Sequence, residues 1–356
     1  MLSKRHLPAA GLALLGLGAT AARSQGLDDS GFRGAGSTLV YPMLLQWQHS
    51  LAPRDGDGKP QVDTENGMDY EASGSAAGLA RVNARAVEFG ASDIALPPAE
   101  LERLGLAQFP IVTGGIAIAA SLRGVTSGAL RLTGDALAKM YLGQITRWND
   151  PALVALNPGL ALPASPIQLV RRADGSGTTH HFTAFLAGAN ADWRGRVGIH
   201  AQPGWPLAGI AARGNRGVAA AVRANEGSIG YVEVSEARRL NLAVALLQNA
   251  AGRFVAPEQA NLLAASASNR LDSAQHFFAE REAPTAEDAY PLIANVNALV
   301  PRRPVSAART RRALEFFRLA LTEGRDDATR LGFVPLAPAL VQQVTAYWPR
   351  MIQGAR

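Results

Sequence analysis

Arg171-Arg172-Ala173-Asp174-Gly175-Ser176-Gly177-Thr178 follows a short, mostly apolar run, Ile167 to Val170, and opens a helical pattern that continues from His181 to Leu186. A strand that turns through small residues into a helix is how a chain builds a pocket for a tetrahedral anion. Gly175 and Gly177 have no Cβ to obstruct close approach, and Ser176 falls at the N-cap. A helix N-terminus exposes unpaired N–H groups and a partial positive charge, and a bound anion satisfies both. Arg172 adds a planar fork suited to two oxygens at once. A plainer account covers the same residues, because Ser and Asp cap helices everywhere and an Arg beside an Asp is commonly a structural ion pair.

The pattern recurs, which favours the ligand. Gly34-Ala35-Gly36-Ser37-Thr38-Leu39 precedes a helical stretch from Tyr41 to Leu51, and Ser73-Gly74-Ser75-Ala76-Ala77-Gly78 precedes a shorter one from Leu79 to Ala86. Three loops rich in Gly and Ser or Thr, each opening a helix, suggest hydroxyls and N–H groups converging on one ligand. A fourth element differs in sign. Val87 to Ala91 reads as a strand, with Ser92-Asp93 at its end. A carboxylate accepts hydrogen bonds and donates none, so Asp93 suits a ligand that carries a proton, such as mono- or dibasic phosphate, and repels fully ionised sulfate. The competing account of Asp93 is an N-cap or loop residue.

Together the loops Gly34 to Leu39, Gly74-Ser75, Phe89 to Asp93 and Arg171 to Thr178 resemble those of the periplasmic phosphate-binding proteins of phosphate-specific ABC transporters. Phe109 to Gly115, Tyr141 to Trp148, Leu156 to Leu160 and Gly227 to Glu233 extend the resemblance, which runs from about Gly34 to Trp348. It implies an α/β fold of two lobes, the type II periplasmic binding protein fold, with mainly parallel sheets and a hinge of crossover strands, closing over one phosphate. Carried over residue by residue, it implies phosphate contacts at Thr38, Leu39 and Ser75. Asp93 is similar to the family's acceptor for the phosphate proton, Arg172 to its guanidinium donor and Asp174 to the acidic partner of that arginine. Ser176, Gly177 and Thr178 complete the set. Leu39 stands where the family commonly has an aromatic residue, and Ala76-Ala77 replace smaller or hydroxylated residues. The stretch from Pro53 to Asn66 looks longer than the usual connection.

The domain organisation expected from this is a signal peptide at 1–21, a discontinuous lobe I at 22–115 and 295–356, and lobe II at 116–294. Strands and helices alternate from Gly34 to about Val112, Ile116 to Ala120 and Pro291 to Leu299 read as crossover strands, and helical patterns at Ala307 to Glu323 and Leu336 to Tyr347 return to lobe I. Lys4-Arg5-His6, the apolar run Leu7 to Gly18 and Ala19-Thr20-Ala21 have the three parts of a secretory signal, and the run is too short to span a bilayer. Composition agrees with an exported globular chain: 356 residues, 47% hydrophobic, 18% charged and no cysteine. The missing cysteine rules out disulfides, thiolate metal sites, thiol nucleophiles and diacyl attachment, and points to the periplasm. Removal of Lys4 and Arg5 with the signal leaves 33 basic against 29 acidic residues, +4.

Other features read as structure. Arg302-Arg303, Arg309 and Arg311-Arg312 fit a solvated helical face or a contact for an acidic partner, and no motif supports nucleic-acid binding. Tyr141 and Trp148 fit packing at a helix end rather than a stacking platform. His180 and His181 are adjacent and so do not chelate, and no cofactor or metal is expected. Asp174-Gly175-Ser176-Gly177 lacks the glycine two places before the serine that a hydrolase elbow needs, so a secreted serine-dependent hydrolase is the rival class, and sulfate or molybdate the rival ligands. The function expected is capture of inorganic phosphate by a monomer, without catalysis, and delivery to an inner-membrane ABC permease and its ATPase.

Overall fold

Short β-like runs alternating with helical ones give, in the computed structural model, β1 (Phe32–Gly36), α1 (Tyr41–Ser50), β2 (Met68–Glu71), α2 (Ser75–Asn83), β3 (Phe89–Ser92) and α3 (Pro98–Leu104). The structure describes residues 31–52, 67–268, 270–279 and 283–355. The expected signal peptide and the stretch from Pro53 to Asn66 lie outside the described residues. β1 pairs in parallel with β2 and with β3. α2 starts four residues before its apolar pattern does, because its first turn, Ser75-Ala76-Ala77, is made of small residues with no hydrophobic period to read.

A long strand, β4 (Leu106–Ser121), carries the chain onward to β5 (Arg131–Leu132), α4 (Gly134–Leu142), α5 (Pro151–Leu156), β6 (Gln168–Arg172), α6 (Gly177–Ala189), α7 (Ala191–Arg196), β7 (Ile210–Ala212), α8 (Gly214–Ala224), β8 (Ser228–Glu233) and α9 (Val234–Arg239). Then come β9 (Ala243–Val244), β10 (Leu246–Gln248), β11 (Phe254–Val255) and α10 (Gln259–Ser266), before β12 (Ile293–Pro301) brings the chain back for α11 (Ala307–Thr322), α12 (Arg325–Leu331) and α13 (Pro338–Met351).

The main strand order is β2-β1-β3-β12-β4-β8-β6-β7, with β9 beside β4. Its flanks are parallel: β1 with its two neighbours, and β6 with β7 and β8. The middle is antiparallel. β4 pairs with β12 from Leu106 to Gly115, then exchanges partners and pairs with β8 from Ile116 to Ser121. One strand thus belongs to the sheets of both lobes, and β12 runs back alongside it.

Each lobe has its own aromatic core. In the first, Phe317 of α11 packs edge-on against Phe89 at 5.0 Å and Phe109 at 5.7 Å, and Phe109 meets Trp348 of α13 at 5.2 Å. Phe89, Phe109 and Phe317 are fully buried, and such contacts recover more than area alone. This is what draws the two C-terminal helices back to the N-terminal sheet. In the second lobe Tyr231 of β8 stacks on Phe182 of α6 at 4.2 Å, with Tyr141 at 5.0 Å from Phe182. Tyr141 and Trp148 are 2% and 0% exposed, so both are packing residues.

Candidate anion-binding site

β6 ends at Arg172, and the turn after it delivers the N-terminus of α6 to the face opposite lobe I. Ser176 is the N-cap, in extended backbone, its hydroxyl accepting from Thr179 N at 3.2 Å. Arg172 is 2% exposed. Its Nε donates to Asp174 Oδ1 at 2.9 Å and its Nη2 to Asp174 Oδ2. Asp174 Oδ1 also accepts from Gly214 N at 3.1 Å. Burial raises the Asp174 carboxyl, but the Arg172 contacts outweigh it and hold that carboxyl below its ordinary value. Arg172 Nη1 is buried and has no hydrogen-bond partner. Two arms of the fork are thereby fixed by Asp174, and the third is a donor without an acceptor, which burial makes costly. The floor beneath is rigid: Tyr231 Oη accepts from Arg172 N at 3.2 Å and lies 2.8 Å from Thr179 Oγ1.

Lobe I supplies the facing wall. Gly74, before α2, has φ +98°, a conformation that side chains disfavour, and a Cβ there would lie 2.6 Å from Gly175 O across the cleft. The next residue, Ser75, is buried, and its Oγ accepts from Asp93 N at 3.3 Å within its own lobe and from Gly177 N at 3.2 Å in the other. Thr38 also reaches across: its Oγ1 accepts from Asn215 N at 3.3 Å and Nδ2 at 2.9 Å. Leu39 is fully buried and contributes its N–H, which donates to Ser37 Oγ at 3.0 Å.

Asp93 is 3% exposed. Ser37 Oγ donates to its Oδ1. Oδ2 is turned to the first turn of α6, where a Cβ on Gly177 would meet it at 2.7 Å and Asp93 Cβ at 2.5 Å. Burial pushes the carboxyl up to about 6, although the bond from Ser37, the charge of Arg172 and bonds from Thr178 pull the other way. The side chains and N–H groups of Thr38, Leu39, Ser75, Asp93, Arg172, Asp174, Ser176, Gly177 and Thr178 therefore meet along one seam between the lobes. Their chemistry is that of holding: fixed donors, one guanidinium and one carboxylate acceptor, suited to an oxyanion with a proton.

Two residues at this seam were not picked out as contacts from the sequence. Ser37 sits inside the loop Gly34 to Leu39, masked by its neighbour Thr38. Asn215 is fully buried, bonds Thr38, lies 3.4 Å from Thr178 Oγ1 and accepts from Glu233 N at 3.0 Å. Its signal was a fourth small-residue helix start, Gly214-Asn215 opening α8. The His180 and His181 rings meet edge-on, and His181 Nε2 lies 2.7 Å from Asp93 O, so this pair braces the Asp93 loop. Among the described residues no group of three or more His, Asp or Glu could hold a metal ion. Of the arginine cluster, Arg309 pairs with buried Glu88, while Arg303, Arg311 and Arg312 are exposed.

Comparison with known proteins gives the same frame. Residues 19–316 match the PBP superfamily domain. The phosphate-binding protein PstS of Xylella fastidiosa strain Temecula1 is 38% identical over 315 residues, 88% of this chain and 84% of that protein. PstS of Haemophilus influenzae is 37% identical over 315 residues, 88% and 91% of the two chains. The solved phosphate-binding protein from Stenotrophomonas maltophilia superposes with a TM-score of 0.64 at 20% identity, over 89% of this chain and 93% of that one, which establishes the shared fold.

Proposed function

This chain belongs to the PBP superfamily and, within it, to the family of phosphate-binding proteins PstS, and on that premise we propose that it captures inorganic phosphate between its lobes and hands it to an ABC importer. Thr38, Leu39, Ser75, Ser176, Gly177 and Thr178 donate to the ligand, Arg172 neutralises it while braced by Asp174, and Asp93 accepts its proton. The observation that carries this reading is Arg172 Nη1, a buried cationic donor with no acceptor, beside the N-terminus of α6 and facing a carboxylate. A guanidinium arm and a helix N-terminus call for an oxyanion, and Asp93 opposite them calls for one that brings a proton.

Lobe I, in this reading, comprises 22–115 and 295–356, lobe II comprises 116–294, and closure is a hinge motion about β4 and β12, where β4 changes partners between Gly115 and Ile116. The protein works in the periplasm as a monomer, follows a cleaved signal at 1–21, docks on an inner-membrane permease driven by its ATPase, and catalyses no reaction. Among the described residues no helix is long and apolar enough to cross a membrane.

Calorimetric titration of refolded, phosphate-stripped protein with phosphate, sulfate and molybdate tests the reading. One-to-one phosphate binding with no sulfate heat at pH 8 is the expected result. Equal sulfate binding would reject the part assigned to Asp93, and no anion binding would reject the function.

A further inference from the structure

Ser37 is fully buried and held at both ends of its backbone: its N–H donates to Ala91 O at 2.8 Å and its carbonyl accepts from Tyr70 Oη at 2.9 Å. Before a ligand arrives its hydroxyl oxygen accepts from Leu39 N, which leaves the hydroxyl proton to Asp93 Oδ1. Because a carboxylate only accepts, that proton stays on the side of Oδ1 when the ligand shares the Leu39 N–H. A hydroxyl has one proton to give, and here its direction is fixed by the partner on its other side.

We propose that Ser37 determines the anion selectivity of the site by reserving Asp93 Oδ1 as an acceptor and confining any proton on this carboxyl to Oδ2. The inference rests on the phosphate reading above. Oδ2 faces the first turn of α6, so an anion held by those N–H groups presents an oxygen to it. When Oδ2 is bare, the two oxygens repel unless the ligand supplies the proton between them, and phosphate is admitted while sulfate is refused. When Oδ2 carries the proton, Asp93 donates instead, and sulfate becomes an acceptable partner. Selectivity therefore depends on keeping Asp93 ionised, and the Ser37 bond stabilises that ionised form against the burial that opposes it.

The other charged or titratable groups around Asp93 are Arg172 from β6, with its partner Asp174, Tyr70 from β2, and His180 and His181 from α6. Arg172 favours the ionised form, but it is committed to Asp174 and to the ligand. Thr178 also donates to this carboxyl, and Ser37 is the donor whose bond to Oδ1 is oriented by Leu39 on its other side.

The test is calorimetry with phosphate and with sulfate, from pH 5 to 8.5, on the wild type, Ser37→Ala and Ser37→Cys. In the wild type, sulfate binding emerges and phosphate binding weakens as pH falls through the Asp93 titration. Ser37→Ala moves both midpoints upward by about one pH unit, which is about tenfold tighter sulfate binding at a fixed pH between them. Ser37→Cys, a weaker donor of similar size, falls between the two and guards against loss of folding in the alanine variant. At pH 8.5 sulfate is refused by all the folded variants, because Asp93 is ionised in each of them, and sulfate bound by Ser37→Ala at that pH would overturn the titration of Asp93 as the cause. Unchanged midpoints in both variants would overturn the role of Ser37 while leaving phosphate capture standing. Absence of phosphate binding in the wild type at every pH would overturn both.

Discussion

Asn215 donates from Nδ2 to the Thr38 hydroxyl at 2.9 Å, so a buried amide of lobe II holds a proposed ligand residue of lobe I. Beside it Arg216 lies over the Tyr41 ring at 4.9 Å, also across the seam. These contacts exist only when the lobes meet. Replacing Asn215 by Ala leaves Thr38 Oγ1 and Glu233 N short of a partner, a loss of about 1 to 3 kcal/mol. The Glu233 bond lies within lobe II, but the Thr38 part of the loss falls on the closed state, so phosphate affinity should drop about tenfold, mainly through faster release. Stopped-flow association and release rates check this, and an unchanged release rate would show that Asn215 is not a clasp.

Arg172→Lys should cost more than its conservative appearance suggests. A lysine has one charged nitrogen, and it cannot engage both Asp174 oxygens while keeping a further donor for the ligand. Lysine keeps the charge but gives up one charge-assisted bond to Asp174 and the one offered to the ligand, each worth about 1.5 to 3 kcal/mol. We expect phosphate affinity to fall at least about a hundredfold, measured by titration, with a lower unfolding temperature because Asp174 is left under-neutralised.

The loops carrying Ser75 and Ser176 and the strand end at Asp93 were legible because each is marked locally by glycine, hydroxyl or carboxylate, although α2 itself begins at Ser75 and not at Leu79. The parallel flanks of the sheet follow from the same alternation. Its antiparallel middle does not, since whether β4 pairs with β12 or β8 depends on segments more than a hundred residues away. Asn215 was missed for a related reason: its partners, Thr38, Thr178 and Glu233, are each distant in the chain. Ser37 was overlooked because a loop motif gives positions without saying which hydroxyl faces a ligand and which faces a carboxylate.

Phe317→Ala tests the account of why α11 returns to the first lobe. Its ring is fully buried between Phe89 and Phe109, and the truncation should destabilise the protein by about 3 to 5 kcal/mol. Denaturant unfolding measures this. Phosphate affinity of the folded fraction should stay within about twofold, because the hydrogen bonds of the site groups are made without α11.

Gly177→Ala should separate closure from folding. Its added Cβ would lie 2.5 Å from Asp93 Cβ and 2.7 Å from Ser75 Oγ, both in the other lobe, and α6 itself accepts alanine readily. The lobes must then stay apart. Thermal stability of the ligand-free protein should change little, while small-angle scattering with saturating phosphate should report a larger radius of gyration than the wild type. A compact form with normal affinity would mean the first turn of α6 lies elsewhere when ligand is bound.

Two buried carboxyls make the ligand-free protein respond to pH in an unusual sense. Burial pushes Asp93 up to about 6 and Glu233, which caps α9, up to about 7, against ordinary values of 3.8 and 4.5. A group whose carboxyl binds its proton more tightly folded than unfolded favours the folded state at low pH. Its contribution is complete below the unfolded value and is lost as pH rises through the folded one. Stability should therefore decline from about pH 4 to about pH 7 through these two groups, by on the order of 2 to 3 kcal/mol for Asp93. Asp174, held below its ordinary value by Arg172, acts in the opposite sense only at lower pH. Asp93→Asn removes one of the two titrations, so its stability should vary less over that window and exceed the wild type near pH 7. Denaturant melts of stripped protein at pH 4.5, 5.5, 6.5 and 7.5 distinguish the cases, because equal slopes in the two proteins would mean that Asp93 is ionised at ordinary acidity and that its burial costs less than the geometry implies.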